Sequence, residues 1–320
     1  MQITSLTDIV EGELQNSPSI SFITQIHTNV SKINEGDAFL VLEQKDIQKA
    51  ISKNAFAIIY EGDLNITDNE IAWVKVDDIK KAITNVLRYK LLEFKNGYIH
   101  TNKIFFKLLQ LFKSKELSHV VTLKDDISYN FELLNSTEEN KIIFSTDSWF
   151  LNNISGDVVT LEDKRYTLQN LTAHSLFETS FSYKGKFYDK IKLPRVYVDY
   201  LLQQLELFEH KLDMKKLGSF NLFKPIFINK SDQIVPFGQT NRFILANEDE
   251  DIAKIEIDYL KENYSYASIE IIDTKELSEE EILKSIQNRD FNALYFINTG
   301  HDAIVSILNK NDTETSLIDF

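Results

Sequence analysis

The side chains that most often carry out catalysis are widely separated in this chain. Its six histidines are nowhere closer than the 19 positions between His100 and His119, which excludes a local zinc helix of the His-x-x-x-His kind. It contains no cysteine, which excludes disulfides, thiolate nucleophiles and iron–sulfur clusters. The Gly-x-Ser-x-Gly elbow of serine hydrolases is also missing. Residue spacing therefore predicts no catalytic residue.

Several carboxylates stand side by side and could chelate a divalent cation, because hard cations take oxygen ligands. These acidic stretches are Asp125–Asp126, Glu138–Glu139 and Glu248–Asp251. They lack the regular alternation and the glycine of a calcium loop. The other interpretation is a set of solvated loops and helix N-termini, where carboxylates are stabilised by the helix dipole. That simpler interpretation is preferred, and no metal site is predicted.

Glycine spacing tests for a phosphate-binding loop. Such a loop needs two or three glycines within about seven residues, so that successive backbone N–H groups can converge on one anion. The chain has 9 glycines in 320 residues, and the closest pair, Gly218 and Gly238, is 20 positions apart. The sequence therefore contains neither a Walker loop nor a dinucleotide-binding fingerprint.

Length and composition indicate an ordinary globular protein. With 320 residues the chain can form two or three domains, and its 43% hydrophobic and 26% charged residues are typical of soluble proteins. A net charge of −14 argues against a nucleic-acid partner, because phosphate binding needs a basic face. We expect no membrane span, since no apolar run is long enough, and no signal peptide at residues 1–4. The expected location is the cytoplasm.

The clearest structural pattern is a strand–helix–strand unit near the N-terminus. A tight turn at Glu35–Asp37 precedes a strand at 38–42, an amphipathic helix at 47–52 and a second strand at 55–60. Farther along, apolar residues at helical spacing predict a helix at 79–89 with one buried face.

This order of elements resembles the N-terminal domain of the Mur ligases, the ATP-dependent enzymes that add amino acids to the peptidoglycan precursor, and the MurE and MurF types most closely. The family pattern is Thr-Asp-Ser-Arg, three further residues, and Gly-Asp before a strand. Thr28, Gly36 and Asp37 match it, whereas Asn29 and Ser31 lie where the family has Asp and Arg. The resemblance implies that these five residues form a vestigial uridine-diphosphate loop. Loss of the arginine removes a bidentate donor suited to a diphosphate.

The ATP loop of the family, Gly-Thr-Asn-Gly-Lys-Thr-Thr, has only a partial counterpart. Thr101, Asn102 and Lys103 resemble its middle, but the glycines are gone, and Ile104 and Phe105 replace the hydroxyls that hold magnesium. The resemblance implies a vestigial nucleotide site at these three polar residues. The alternative is a solvated loop before a helix.

The remaining chain is compared with the family by order and length. Residues 117–140 are predicted to form one strand and a polar loop, which is too short for the ATP domain of the family. The last third, with a capping box at Ser278–Glu281, resembles the Mur C-terminal domain. We therefore expect a multi-domain α/β, Mur-ligase-like architecture. Its predicted parts are an N-terminal βαβ domain (1–92), a reduced β-rich central domain (93–238) and a C-terminal Rossmann-like α/β domain (239–320).

Two classes of function stay open. The first is a non-catalytic Mur-ligase-like protein, or pseudoenzyme, that acts as a binding or regulatory module in peptidoglycan precursor metabolism. It needs no cofactor, and the resemblance implies a UDP-linked muropeptide or another cell-wall protein as its partner. The second is a divergent ATP-dependent amide ligase of the MurF type, or another nucleotide-using enzyme, with ATP and magnesium as cofactors. The first is preferred because the scaffold order is kept while the phosphate-loop glycines are missing.

Overall fold

A computed structural model of the chain describes residues 1–208 and 211–318, and it divides into two compact units. The first unit comprises residues 1–102 and 113–162, and the second comprises residues 103–112 and 163–320. The three-domain partition, with boundaries after residues 92 and 238, remains a prediction. Within the described ranges, no helix is long and apolar enough to cross a membrane.

Residues 1–162 form nine strands and six helices, of which only α4 belongs to the second unit. In chain order these are α1 (Ile3–Ile9), β1 (Glu13–Leu14), β2 (Ile26–His27), β3 (Ala38–Leu40), α2 (Ile47–Ser52), β4 (Ala57–Glu61), β5 (Ala72–Val76), α3 (Ile79–Leu91), β6 (Gly97–His100), α4 (Lys103–Phe112), β7 (Val120–Thr122), α5 (Ile127–Asn135), β8 (Ile142–Ser145), α6 (Ser148–Ile154) and β9 (Val158–Thr160).

The first unit contains two sheets around one continuous apolar core. One sheet has the order β1-β5-β4-β3-β2 and is parallel except for β1, and the other has the parallel order β7-β8-β6-β9. Helix α3 starts at the Asp78 cap, whose carboxylate accepts the N–H groups of Lys80 and Lys81. Its predicted apolar face is buried, with Ile83 and Leu87 in the same core as Phe131 of α5. The predicted helix and its face are therefore confirmed.

The prediction for residues 117–140 was wrong in one respect, because the polar loop contains helix α5. Asp126 caps this helix by accepting the N–H of Tyr129 at 2.9 Å. Phe131 and Leu134 are fully buried in the core and hold one face of the helix. The polar residues of this segment were taken for a loop, whereas tertiary packing of a few apolar side chains stabilises the helix. This helix carries the side chain that fills the candidate site.

The described part of residues 163–320 forms seven strands and four helices. In chain order these are β10 (Gln169–Ala173), β11 (Thr179–Tyr183), β12 (Lys186–Ile191), α7 (Arg195–Leu207), β13 (Ile226–Phe227), β14 (Phe243–Asn247), α8 (Glu250–Asn263), β15 (Ile269–Asp273), α9 (Glu279–Gln287), β16 (Ala293–Ile297) and α10 (His301–Ile318). Strands β10, β11 and β12 form an antiparallel sheet, and the other four form a sheet of order β13-β14-β16-β15.

The last sheet of the second unit is parallel in β14, β16 and β15 and is covered on both faces. Tyr295 of β16 donates its hydroxyl to Glu256 of α8, which places α8 on one face. The neighbouring Phe296 packs in a core with Ile304 of α10, which places α10 on the other face. The predicted capping box at Ser278 is present at the start of α9. The mixed α/β architecture with several parallel sheets confirms the predicted fold class.

Candidate functional site

Gly36 and Asp37 fix the loop between β2 and β3 by backbone geometry and hydrogen bonding. Gly36 has a φ of +92°, and a Cβ there would stand 2.8 Å from the hydroxyl oxygen of Thr24, so only glycine fits without a shift. The buried carboxylate of Asp37 accepts the N–H groups of Gln25 at 3.0 Å and Asn34 at 2.9 Å. Both residues thus hold the turn in shape.

The carboxylate of Glu132, on α5, occupies the inner side of this loop. One oxygen, Oε1, accepts the N–H of Thr28 at 2.8 Å, the N–H of Asn29 at 3.1 Å and the hydroxyl of Thr28 at 3.2 Å. The other oxygen, Oε2, lies 3.0 Å from Nδ1 of His27 and 3.1 Å from Nζ of Lys32. Five groups that could bind an external anion therefore surround one internal carboxylate.

The charge of Glu132 is stabilised by these contacts. Burial alone would raise the pKa of its carboxyl, because a low-dielectric environment disfavours the charged form. The hydrogen bonds from His27, from the N–H groups of Thr28 and Asn29, and from Lys32 outweigh burial and lower the pKa to about 2. Glu132 is consequently an anion at every physiological pH.

His27 lies between two carboxylates in this site. Its Nδ1 faces Glu132, and its Nε2 is 3.8 Å from Oδ2 of Asp37, which is too long for a hydrogen bond. The buried Nε2 has no hydrogen-bond partner among the described residues. His27 is buried, with 7% of its surface exposed. Its ring is enclosed because α5 covers the loop.

Ser31 lies on the outside of the loop and does not contact Glu132. Its N–H donates to the side-chain oxygen of Asn29 at 2.9 Å, and its carbonyl accepts from Nζ of Lys53 at 2.8 Å. The structure therefore brings Thr28 and Asn29 together on the carboxylate of Glu132 through their backbone N–H groups, while Ser31 shapes the outer turn. Binding of a ligand by any of the five predicted residues remains a prediction.

The three residues predicted as a vestigial nucleotide site lie where β6 leads into α4. Only Thr101 and Asn102 separate the two elements, and none of residues 97–104, all of them described, has a positive φ. The N–H of Thr101 donates to the carbonyl of Ser145 at 3.0 Å, so it is used in the sheet. A nest of N–H groups needs alternating right- and left-handed residues. The connection between β6 and α4 has no residue in the left-handed region, so it does not form such a nest.

Lys103 begins α4, and its charge is used within the second unit. Its Nζ lies 2.6 Å from Oδ2 of Asp249, the cap of α8, and 3.7 Å from Oδ2 of Asp251. The hydrogen bond to Asp249 is the main cause that raises the pKa of Lys103. No group of three or more His, Asp or Glu side chains could hold a metal ion in the part of the chain that the structure describes.

No protein-family model and no curated protein matches the sequence. Solved structures do match. The MurF ligase of Thermotoga maritima in complex with ADP is 13% identical, with a TM-score of 0.52, over 89% of this chain and 96% of that chain. The MurF crystal structure I of Acinetobacter baumannii is 7% identical, with a TM-score of 0.52, over 96% of this chain and 98% of that chain. A third match is the UDP-N-acetylmuramoylalanyl-D-glutamyl-2,6-diaminopimelate–D-alanyl-D-alanyl ligase of the same species, 10% identical with a TM-score of 0.50 over 98% of both chains.

The chain has the Mur ligase fold. The resemblance found in the sequence is confirmed at this level, since identities this low carry the architecture and nothing finer. Within the Mur ligase fold, the loss of the phosphate loop and of catalysis stays a prediction.

Sequence reasoning missed the two residues that complete the candidate site, Glu132 and Lys32. Glu132 is 105 positions from His27, so no local spacing connects them. The one signal that could have placed Glu132 on a structured element is Asp126, a helix-capping residue followed by buried Phe131 and Leu134. Nothing in the sequence distinguishes Lys32 from the other lysines of the chain.

Proposed function

We propose that this protein is a non-catalytic Mur-ligase-like module linked to peptidoglycan precursor metabolism. The observation that carries the proposal is the connection between β6 and α4. It is two residues long, lacks glycine, and is followed by a lysine that is already paired with Asp249 and Asp251. Phosphates held by a loop require converging N–H groups and a free cation. Here the N–H of Thr101 is used in the sheet, and the charge of Lys103 is used by Asp249 and Asp251.

The uridine loop supports the same proposal. Glu132 takes up the N–H groups of Thr28 and Asn29 together with Lys32, so a diphosphate at this loop must displace an internal carboxylate. We therefore expect a UDP-linked muropeptide to bind weakly at the loop, which leaves another cell-wall protein as the favoured partner. A cytoplasmic location remains part of the proposal.

The experiment that tests catalysis is a ligase assay on the pure protein. The substrates are those named for the Acinetobacter enzyme, the UDP-N-acetylmuramoyl tripeptide and D-alanyl-D-alanine, with ATP and magnesium. We expect no release of ADP above the rate without protein, while a MurF ligase assayed in parallel turns over. Amide formation at a rate close to that of the MurF control would contradict the proposal and support the divergent ligase.

A binding titration with the same muropeptide tests the partner. We expect little or no saturable binding to the wild type. Tight binding that the wild type and the Glu132→Gln variant share would contradict the expectation that the carboxylate blocks the loop. In that case the muropeptide becomes the favoured partner.

A further inference from the structure

The second unit contains an apolar cavity of about 420 Å³, and none of the residues predicted from sequence to bind a ligand lines it. This volume lies in the range of small-molecule sites, which are mostly apolar with a few polar groups. The walls come from β13 and its flanking loops, from the segment before β11 and from the 3-10 helix Met214–Ser219. They include Phe177, Leu217, Phe220, Phe227, Val235 and Phe237.

The aromatic wall is ordered around Phe177. Its ring centre lies 5.3 Å from that of Phe243, 5.6 Å from Phe223, 5.9 Å from Phe237 and 6.1 Å from Phe227. These are edge-on or tilted pairs at the separations that aromatic rings prefer. A set of rings that hold one another forms a rigid surface before any ligand arrives.

Part of this surface is left open to solvent. Phe237 is 58% exposed and Ile234 is 38% exposed, and both line the cavity. Both lie in the loop between β13 and β14, where polar side chains would be the usual choice. Clustered apolar surface beside a cavity is typical of a ligand-binding site.

The backbone beside the cavity is also strained. Phe223 has a φ of +52°, a conformation that bulky residues rarely adopt, and its side chain is buried. Its N–H donates to the carboxylate of Glu256, which also accepts the hydroxyl groups of Tyr197 and Tyr295. The buried network fixes this turn, and strain of this kind is concentrated at binding sites.

The charged groups at the cavity favour an anion. Two lysines, Lys192 and Lys224, line it with a single carboxylate, Glu178, although the whole chain carries 49 acidic and 35 basic residues. Lys224 interacts with Asp302, whose carboxylate offsets its charge, so Lys192 is the candidate for binding an external anion at the cavity. The local balance is therefore opposite to that of the chain.

A second, polar crevice of about 240 Å³ adjoins the cavity through Leu222 and His301. It is lined by Asn247 at the end of β14, by Glu248 directly after it, and by residues 300–303 after β16. The loop after β14 leads to α8 on one face of the sheet, and the loop after β16 leads to α10 on the other. Adjacent parallel strands that separate in this way form the crevice where α/β sheets bind ligands.

We infer that the cavity binds a small amphiphilic acid, with an aromatic or branched apolar body against the Phe177 cluster and an anionic head near Lys192. The crevice gives room for a further polar group of the same ligand. This inference concerns the second unit alone and holds whether or not the protein has ligase activity.

The test is an isothermal titration of the full chain with 1-naphthaleneacetate, compared with its uncharged analogue 1-naphthaleneacetamide. We expect saturable binding of the acid and at least about tenfold weaker binding of the amide, because the amide lacks the charge. Equal affinities would contradict the anionic head. No binding of either probe at about 2 mM would overturn the inference altogether.

Gly218 provides a blocking variant with a matched control. It lines the cavity, and a Cβ there would meet only the Cδ of Lys192, at 3.8 Å, so a side chain enters open space. Gly218→Phe should abolish binding of the acid, and Gly218→Ala should change it by less than about twofold. Unchanged binding by a folded Gly218→Phe protein would place the probe elsewhere.

A second variant covers the case in which Gly218→Phe fails to fold. Lys192→Met keeps the length of the side chain and removes its charge. The affinity for the acid should therefore fall by about threefold or more, and the affinity for the amide should stay unchanged. The same affinity for the acid in Lys192→Met and wild type would contradict the assignment of the head group to this lysine.

Discussion

Replacing Glu132 by glutamine tests how strongly its charge holds the N-terminal loop. The contacts in the folded protein lower its pKa from 4.5 to about 2. A difference of this size corresponds to about 3 kcal/mol of stability. Because the folded pKa is the lower one, this contribution is fully present above about pH 4.5 and is lost as the pH falls to 2. Glutamine keeps the size of the side chain, but its amide removes the charge that Lys32 and His27 face.

The expected result is a loss of about 2–3 kcal/mol in the free energy of unfolding of the first unit at pH 7. Urea unfolding followed by tryptophan fluorescence measures this unit alone, since both tryptophans, Trp73 and Trp149, belong to it. The matched control is Glu138→Gln, an exposed residue three positions after α5, which should change the midpoint little.

The pH dependence separates charge from packing. At pH 3 the difference between the wild type and Glu132→Gln should shrink to about a third, because the unfolded carboxyl is already protonated. A variant as stable as the wild type at pH 7 would refute the account of the loop. A loss that is the same at pH 3 and pH 7 would show that shape and not charge is responsible.

Three further changes test other parts of the structure. Lys32→Met removes one partner of Glu132, and since its side chain is 50% exposed we expect a loss below about 1 kcal/mol at pH 7 in the same urea assay; a larger loss would contradict its peripheral place. Gly36→Ala should lower the free energy of unfolding by about 1–3 kcal/mol, because φ is +92° and the added Cβ would clash. Gly62→Ala, at φ +84° in open space, should lower it by only about 1 kcal/mol. Equal losses in the two variants would rule out the clash. Burial raises the pKa of Glu256 to about 7. The stability that this carboxyl contributes to the second unit is therefore fully present below about pH 4.5 and is lost as the pH rises through 7. Glu256→Gln should remove this fall, as hydrogen-exchange protection of β16 amides at pH 5 and 8 would show, and an unchanged pH dependence would contradict it.

Local signals in the sequence were sufficient for the elements that depend on local interactions. Helix α3 was predicted from the spacing of its apolar residues, and both the helix and its buried face are seen. The capping box at Ser278 and the turn at Gly36 depend equally on residues within a few positions of each other. The order of such elements was enough to indicate the Mur ligase fold before any comparison of structures.

The candidate sites depend on contacts that no local pattern encodes. Glu132 reaches the loop at Thr28 across 104 positions, and the helix that carries it has only a short apolar face. The cavity of the second unit brings Phe177 against Phe243 from separate strands and loops. The turn predicted at Glu35–Asp37 is present, but the sequence could not show that the carboxylate of Glu132 lies inside the loop.

The most direct test of the central claim is an isothermal titration of the full chain with ATP and magnesium, repeated with ADP and magnesium. The proposed loss of the phosphate site predicts no saturable heat up to about 1 mM nucleotide. Binding in the low micromolar range that disappears in Lys103→Met would contradict it, because it would show that the connection between β6 and α4 still holds phosphates.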